Sequence, residues 1–155
     1  MKLVSACLCG INCKYNGKNN LNLYFMELLQ EGDVIPVYPK QLGGLPTPRL
    51  PAEIDAGSGQ DVLVGYSKVL NKNGEDVSDN YIKGAYETLK IAQLAGVDTA
   101  ILKSRSPSCG SKYIYDGSFS YKLRQADGVT AALLKENGIR VMDEDEYMEK
   151  GECQD

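Results

Sequence analysis

The sequence predicts an α/β protein, a three-layer sandwich with a short, mostly parallel sheet and helices on both faces. Three observations predict it. Short apolar runs alternate with stretches of helical period along the chain. Their order, β-α-β-(loop)-α-β-α-β, is the one that builds parallel sheets through right-handed crossovers. The length, 155 residues, suits one domain that buries roughly 70% of its unfolded surface. Residues 1–155 are therefore read as a single domain.

Each element has its own signal. Residues 3–8 form an apolar run fit for a buried strand. Leu21, Phe25, Leu28 and Leu29 share a helical face, and Gly32 follows as a stop. Residues 34–38 read as a second strand, ended by Pro39. Residues 39–60 are rich in Gly and Pro and read as a long loop, a feature that in compact domains is usually functional or disordered. Residues 62–70 suggest extended chain entering a turn at 71–74. Ser78 is placed to cap a helix with the stripe Ile82, Ala85, Tyr86, Leu89, Ala92, which Gly96 ends. Residues 99–103 form a third strand. A second long loop, 104–126, holds an Asp116-Gly117 turn suited to a small hairpin. Asp127 is placed to cap a helix carrying Val129, Ala132, Leu133 and Leu134, stopped by Gly138. Residues 139–142 give a fourth strand, and an acidic helix follows.

Composition narrows the chemistry. The chain has five Cys and no His. A Ser-His-Asp triad, a Cys-His dyad and any imidazole-bound metal are excluded. A soft-metal site must be built from cysteine, and a general base from Asp, Glu, Lys, Tyr, Cys or water. The net charge of −4 argues against nucleic acid as a partner, which calls for a basic patch. No stretch approaches the ~20 apolar residues of a membrane span. The N-terminus lacks the layout of a signal peptide. An odd cysteine count fits reduced thiols in the cytoplasm better than a secreted disulfide framework.

In parallel sheets ligands bind beyond the carboxyl ends of the strands. Cys7, Cys9 and Cys13 follow the first strand, Tyr38-Pro39-Lys40 leaves the second, and Ser106-Pro107-Ser108-Cys109-Gly110 follows the third. These segments are expected on one rim. Thiolates there would suit a soft metal or an iron–sulfur cluster, although the spacing matches neither zinc ribbons nor ferredoxins. Buried free thiols are the plain alternative. Cys153, near the end of the chain, is assigned no role.

Six blocks, VSACLCGINCKYNGKNN, LGGLPTPRLPAEI, GEDVSDNYIKGA, ILKSRSPSCGS, IYDGSFS and DGVTAALLKENGIRV, resemble a bacterial family long catalogued as a domain of unknown function, whose characterised members are thiouracil desulfidases. The resemblance runs from about residue 3 to 143. It implies a [4Fe–4S] cluster held by three cysteines, with an open iron that takes sulfur from a small thiolated heterocycle while water replaces it on carbon. Cys7 and Cys109 match family ligand positions, and Ser106 matches the family serine. Arg49 is expected to fork onto a substrate group, or else to pair with Glu53 at the surface. Ser108 is expected to contact the ligand or to hold the Cys109 loop. Tyr15, Tyr38, Tyr113 and Tyr115 are candidates for stacking on a ring or for plain packing at the rim.

One motif departs from the family. The second strand should lead into Cys-Pro-Glu and instead reads Tyr38-Pro39-Lys40. A phenol stands where a ligand is expected, with Tyr38 then available to the substrate. An ammonium, Lys40, stands at the position of the catalytic carboxylate, and a lysine near its usual pKa of about 10.4 is a poor base at pH 7. Three readings stay open. Cys9 or Cys13 supplies the third thiolate and the desulfidase chemistry survives. Cys7, Cys13 and Cys109 hold a mononuclear metal. Or the cluster is lost, and the fold serves as a non-catalytic binding or regulatory domain.

Overall fold

The computed structural model describes residues 1–150. Cys153 lies outside them. Four strands form the central sheet: β1 (Lys2–Ser5), β2 (Val34–Val37), β5 (Thr99–Leu102) and β8 (Arg140–Asp143), in the order β2-β1-β5-β8, all parallel. Strand residues alternate between faces, and both faces are covered. Leu3, Ala100, Leu102 and Val141 pack against α4 (Ser78–Ala95) and α5 (Val129–Glu136). Val4, Ile101 and Met142 pack against Phe25 of α1 (Leu23–Gln30) and Tyr147 of α6 (Glu144–Glu149). This is the expected three-layer sandwich. Burial of a side chain such as Phe25 contributes on the order of 1.5–3 kcal/mol.

Three of the four central strands are shorter than the sequence reading placed them, β8 is shifted by one residue, and the long loops hold more structure. β1 ends at Ser5, and residues Ala6–Cys9 form a 3-10 turn closed by Gly10 in the left-handed region, φ 96°. Asn22 caps α1, its side chain accepting from the Tyr24 N–H, so Leu21 falls outside the helix. Within 39–60 lie α2 (Pro39–Leu42), begun by Pro39, and β3 (Ala52–Ile54). Residues 62–70 are not continuously extended. A reciprocal Ser58–Asp61 capping box starts α3 (Gly59–Leu63), and only β4 (Val69–Asn71) is strand, paired antiparallel with β3.

Two capping assignments change. Ser78 is the first residue of α4, and Asp76 accepts its N–H and hydroxyl instead. Gly128 occupies the cap of α5, while the Asp127 carboxylate accepts from the Lys112 N–H and pairs with Lys135 at 2.8 Å. The expected hairpin is present as β6 (Tyr113–Tyr115) and β7 (Leu123–Gln125), joined by residues 116–122. The helix crossing behind the site depends on two glycines. A Cβ at Gly43 would lie 1.9 Å from the Asn80 carbonyl oxygen, and one at Gly84 would lie 2.0 Å from that of Pro39. α2 therefore sits directly on α4, which fixes the chain carrying Tyr38 and Lys40.

Candidate active site

The turn after β1, the start of α2 and the loop after β5 meet at the carboxyl ends of three neighbouring strands. Beside them lies a cavity of about 300 Å³ lined by Tyr38, Lys40, Arg49, Glu53, Ser106 and Phe119, among others, and by none of the four described cysteines. Its volume is at the small end of ligand sites.

Cys7 sits in the 3-10 turn, fully buried. Its carbonyl accepts from Asn20 N–H at 2.9 Å, and the Asn20 Nδ2 donates to its sulfur at 3.4 Å. The Cys13 thiol donates to Cys7 as well. That bond, the Asn20 amide and the positive charges of Lys40 and Lys103 outweigh burial and lower the Cys7 pKa to about 7. The donor position and burial push the Cys13 thiol far up. Cys109 is buried and raised by desolvation, against the pull of Lys40. Cys9 turns elsewhere, donating to the Phe25 carbonyl at 3.6 Å within the α1-side core. All four described cysteines are free thiols. Among the described residues, no three Cys, Asp or Glu are disposed to hold a single metal ion.

Tyr38 is 8% exposed. Lys40 Nζ and Arg49 Cζ lie over its ring, 5.3 and 5.5 Å from the centroid. The Arg49 Nη2 reaches its hydroxyl at 3.5 Å. Burial raises the phenol pKa, so Tyr38 stays protonated. Burial lowers the pKa of Lys40, against the attraction of Cys109. Among the described residues no carboxylate lies within ion-pair distance of Lys40, whereas Lys103 is held by Glu144 at 2.8 Å.

Arg49 forms no surface pair with Glu53. Its guanidinium donates to the carbonyls of Cys13 and Pro46 and to Thr47 Oγ1, tying the Cys13 loop to the 46–49 segment. Glu53 instead accepts from the N–H groups of Gly117 and Phe119. Ser106 borders the cavity, and its oxygen accepts from the Cys109 N–H at 2.7 Å. Ser108 is 1% exposed and lies behind the cavity wall. Its hydroxyl shares a hydrogen bond with Thr130 and accepts from the Cys109 thiol at 3.6 Å. Through these bonds it ties the Cys109 loop to α5. Of the tyrosines considered for the rim, Tyr15, Tyr38 and Tyr115 border the cavity, and Tyr113 does not. Glu53, Phe119, Tyr121, Asn20 and Lys103 were not singled out by sequence. Asn20, Glu53, Lys103 and Phe119 do fall within four of the quoted blocks, and Tyr121 lies one residue past the last of these.

A parallel α/β sandwich with a thiol-rich rim defines a class in which the strand ends, not the helices, carry the chemistry. The model of the 2-thiouracil desulfurase family matches residues 3–146, and the chain belongs to that family. Among its relatives, the uncharacterized protein YbbK of Bacillus subtilis (strain 168) is 48% identical over 146 residues, covering 94% of this chain and 97% of that protein. Among solved structures, the [4Fe-4S]-dependent thiouracil desulfidase TudS superposes with a TM-score of 0.83 at 37% identity, over 96% of this chain and 93% of that one.

Proposed function

We propose that this chain is a desulfidase that removes sulfur from a small thiolated heterocycle by non-redox hydrolysis, using a [4Fe–4S] cluster held by Cys7, Cys13 and Cys109. The observation that carries the reading is the grouping of three buried thiols, two of them hydrogen-bonded, at the strand ends of the family fold. The donor set fits such a cluster, because thiolates are its usual ligands. Lys40, Lys103 and Arg49 supply positive charge beside three thiolates. Tyr38 is no ligand in this reading, since its protonated phenol is committed to Arg49.

When bound, a cluster with three protein ligands supplies an open iron as a Lewis acid for the departing sulfur. The chain's own residues do the rest. Ser106 accepts from the Cys109 N–H and its hydroxyl also bonds the Cys109 sulfur, so turning that proton to a ring carbonyl or nitrogen exchanges one acceptor for another. Lys40, with its pKa lowered by burial, gives a proton to the leaving sulfur and recovers one from the attacking water, whose second proton passes to solvent. Arg49 and Tyr38 hold the wall against which the substrate is oriented. Oxygen from water bonds to the ring carbon, the carbon–sulfur bond breaks, and sulfide leaves without change of oxidation state. The partner is thus a small molecule, not nucleic acid, and reduced thiols fit a cytoplasmic setting. Among the described residues no helix is long and apolar enough to cross a membrane.

The test is anaerobic incubation of cluster-reconstituted protein with 2-thiouracil. Equal release of uracil and sulfide is expected, lost in Cys7→Ser and Cys109→Ser. A reconstituted protein that binds the compound and releases neither product contradicts the proposal. A chain that takes up no iron on reconstitution yet binds the compound favours the second reading, a cluster-free binding domain, which the Tyr38 and Lys40 side chains at the family's ligand and carboxylate positions support.

A further inference from the structure

Loop 116–122 is built with more care than a connection between two short strands requires. Phe119 and Tyr121 both adopt left-handed backbone, φ 58° and 62°, which costs energy for residues with large side chains. Several bonds hold the loop in this form. The Glu53 carboxylate, on a residue only 8% exposed, accepts from Gly117 N–H at 2.9 Å and Phe119 N–H at 3.1 Å. Asp116 accepts from the Ser118 N–H and hydroxyl, and the Arg124 guanidinium donates to the Asp116 carbonyl. Gly117 lies so close to β3 that a Cβ would stand 2.5 Å from the Asp55 carbonyl oxygen.

This framework presents aromatic surface to the cavity. Tyr115, Phe119 and Tyr121 all line it. Tyr115 and Tyr121 meet edge to face, with centroids 6.2 Å apart at 83°, yet Tyr121 remains 84% exposed. A strained, exposed ring beside a cavity does little for the core. Tyr38, another ring lining the cavity, already carries two cations. The same cavity brings in the donors Lys40, Arg49 and Ser106.

We infer that Tyr115, Phe119 and Tyr121 form a stacking wall for a planar heterocycle, and that Glu53 is the positioning residue that holds it. The inference deepens the proposed function, since it names the part of the chain that grips the ring. Stacking does not depend on sulfur, so uracil serves as probe. Its affinity for the anaerobically purified full chain is measured by equilibrium dialysis.

Phe119→Leu keeps apolar bulk without a π face, and Tyr121→Ala removes an exposed ring with little risk to folding. Each is expected to weaken uracil binding roughly five- to hundred-fold, the range of base–aromatic stacking. Tyr121→Phe should stay within about twofold of the parent. Glu53→Ala should weaken binding, and Glu53→Gln, which keeps an acceptor oxygen for the two N–H groups, should restore most of it. Unchanged uracil affinity in both Phe119→Leu and Tyr121→Ala, or no uracil binding by the parent chain, overturns the wall. Failure of the desulfidase reading looks different: uracil binds, the substitutions weaken it, and no sulfide is released from 2-thiouracil.

Discussion

Cys9 lies two residues from Cys7 and Cys13 six, and the choice between them is made by one turn. In a strand, residues 7 and 9 would share a face. In a 3-10 turn of about three residues per turn, positions i and i+2 diverge. Cys9 therefore enters the core beside Phe25, and Cys13 returns to bond Cys7. The place of Cys7, Cys109 and Ser106 after the strands was legible because motif residues surround them. Cys13 was expected as the third thiolate with Cys9 as its alternative, and the sequence could not decide between them, because the apolar run 3–8 reads as strand to its end while Gly10 bends it. Cys13→Ser should lower the iron retained after reconstitution to a small fraction of the parent's, and Cys9→Ser should leave it unchanged. Iron analysis of the two proteins, prepared side by side, checks this. Equal iron in both would remove Cys13 from the ligand set.

At the scale of elements, the long helices were readable from their stripes, and the short pieces were not. α2, α3 and β3 have five residues or fewer, too few for a period to show. They depend on Pro39 at a helix start, the Ser58–Asp61 box and pairing with β4. The close crossing of α2 and α4 gives one prediction. Gly84→Ala forces a methyl against the Pro39 carbonyl, so it should destabilise the fold by about 1–3 kcal/mol or more, seen as a lower urea midpoint. A second concerns the start of α4. The hydroxyl and then the N–H of Ser78 hold the Asp76 carboxyl below the usual range. A depressed carboxylate adds stability above its unfolded pKa and loses it as pH falls through the folded value. Asp76→Ala should thus cost about 1 kcal/mol at pH 7. Urea denaturation across pH should show the difference fading below the unfolded carboxylate value of about 3.9.

For the whole molecule, sequence order alone placed the rim. Alternating elements require a parallel sheet, and the sheet brings residues 7, 38 and 106 to one end although they are far apart in the chain. What the order could not show is how loops 46–53 and 116–122 fold over that rim, because their positions depend on tertiary bonds such as Glu53 to Phe119 N–H and Arg49 to Cys13 carbonyl. Nor could a net charge of −4 reveal a cavity bordered by Lys40, Arg49 and Lys103. The departure at Tyr38-Pro39-Lys40 stands at the centre of this arrangement, and the account holds that Cys13 makes up for it. The direct test is iron and acid-labile sulfide analysis of the anaerobically purified, reconstituted chain, together with its visible spectrum. About four irons and four sulfides per chain are expected, with a broad brown absorption. A colourless, iron-free protein after reconstitution would contradict it.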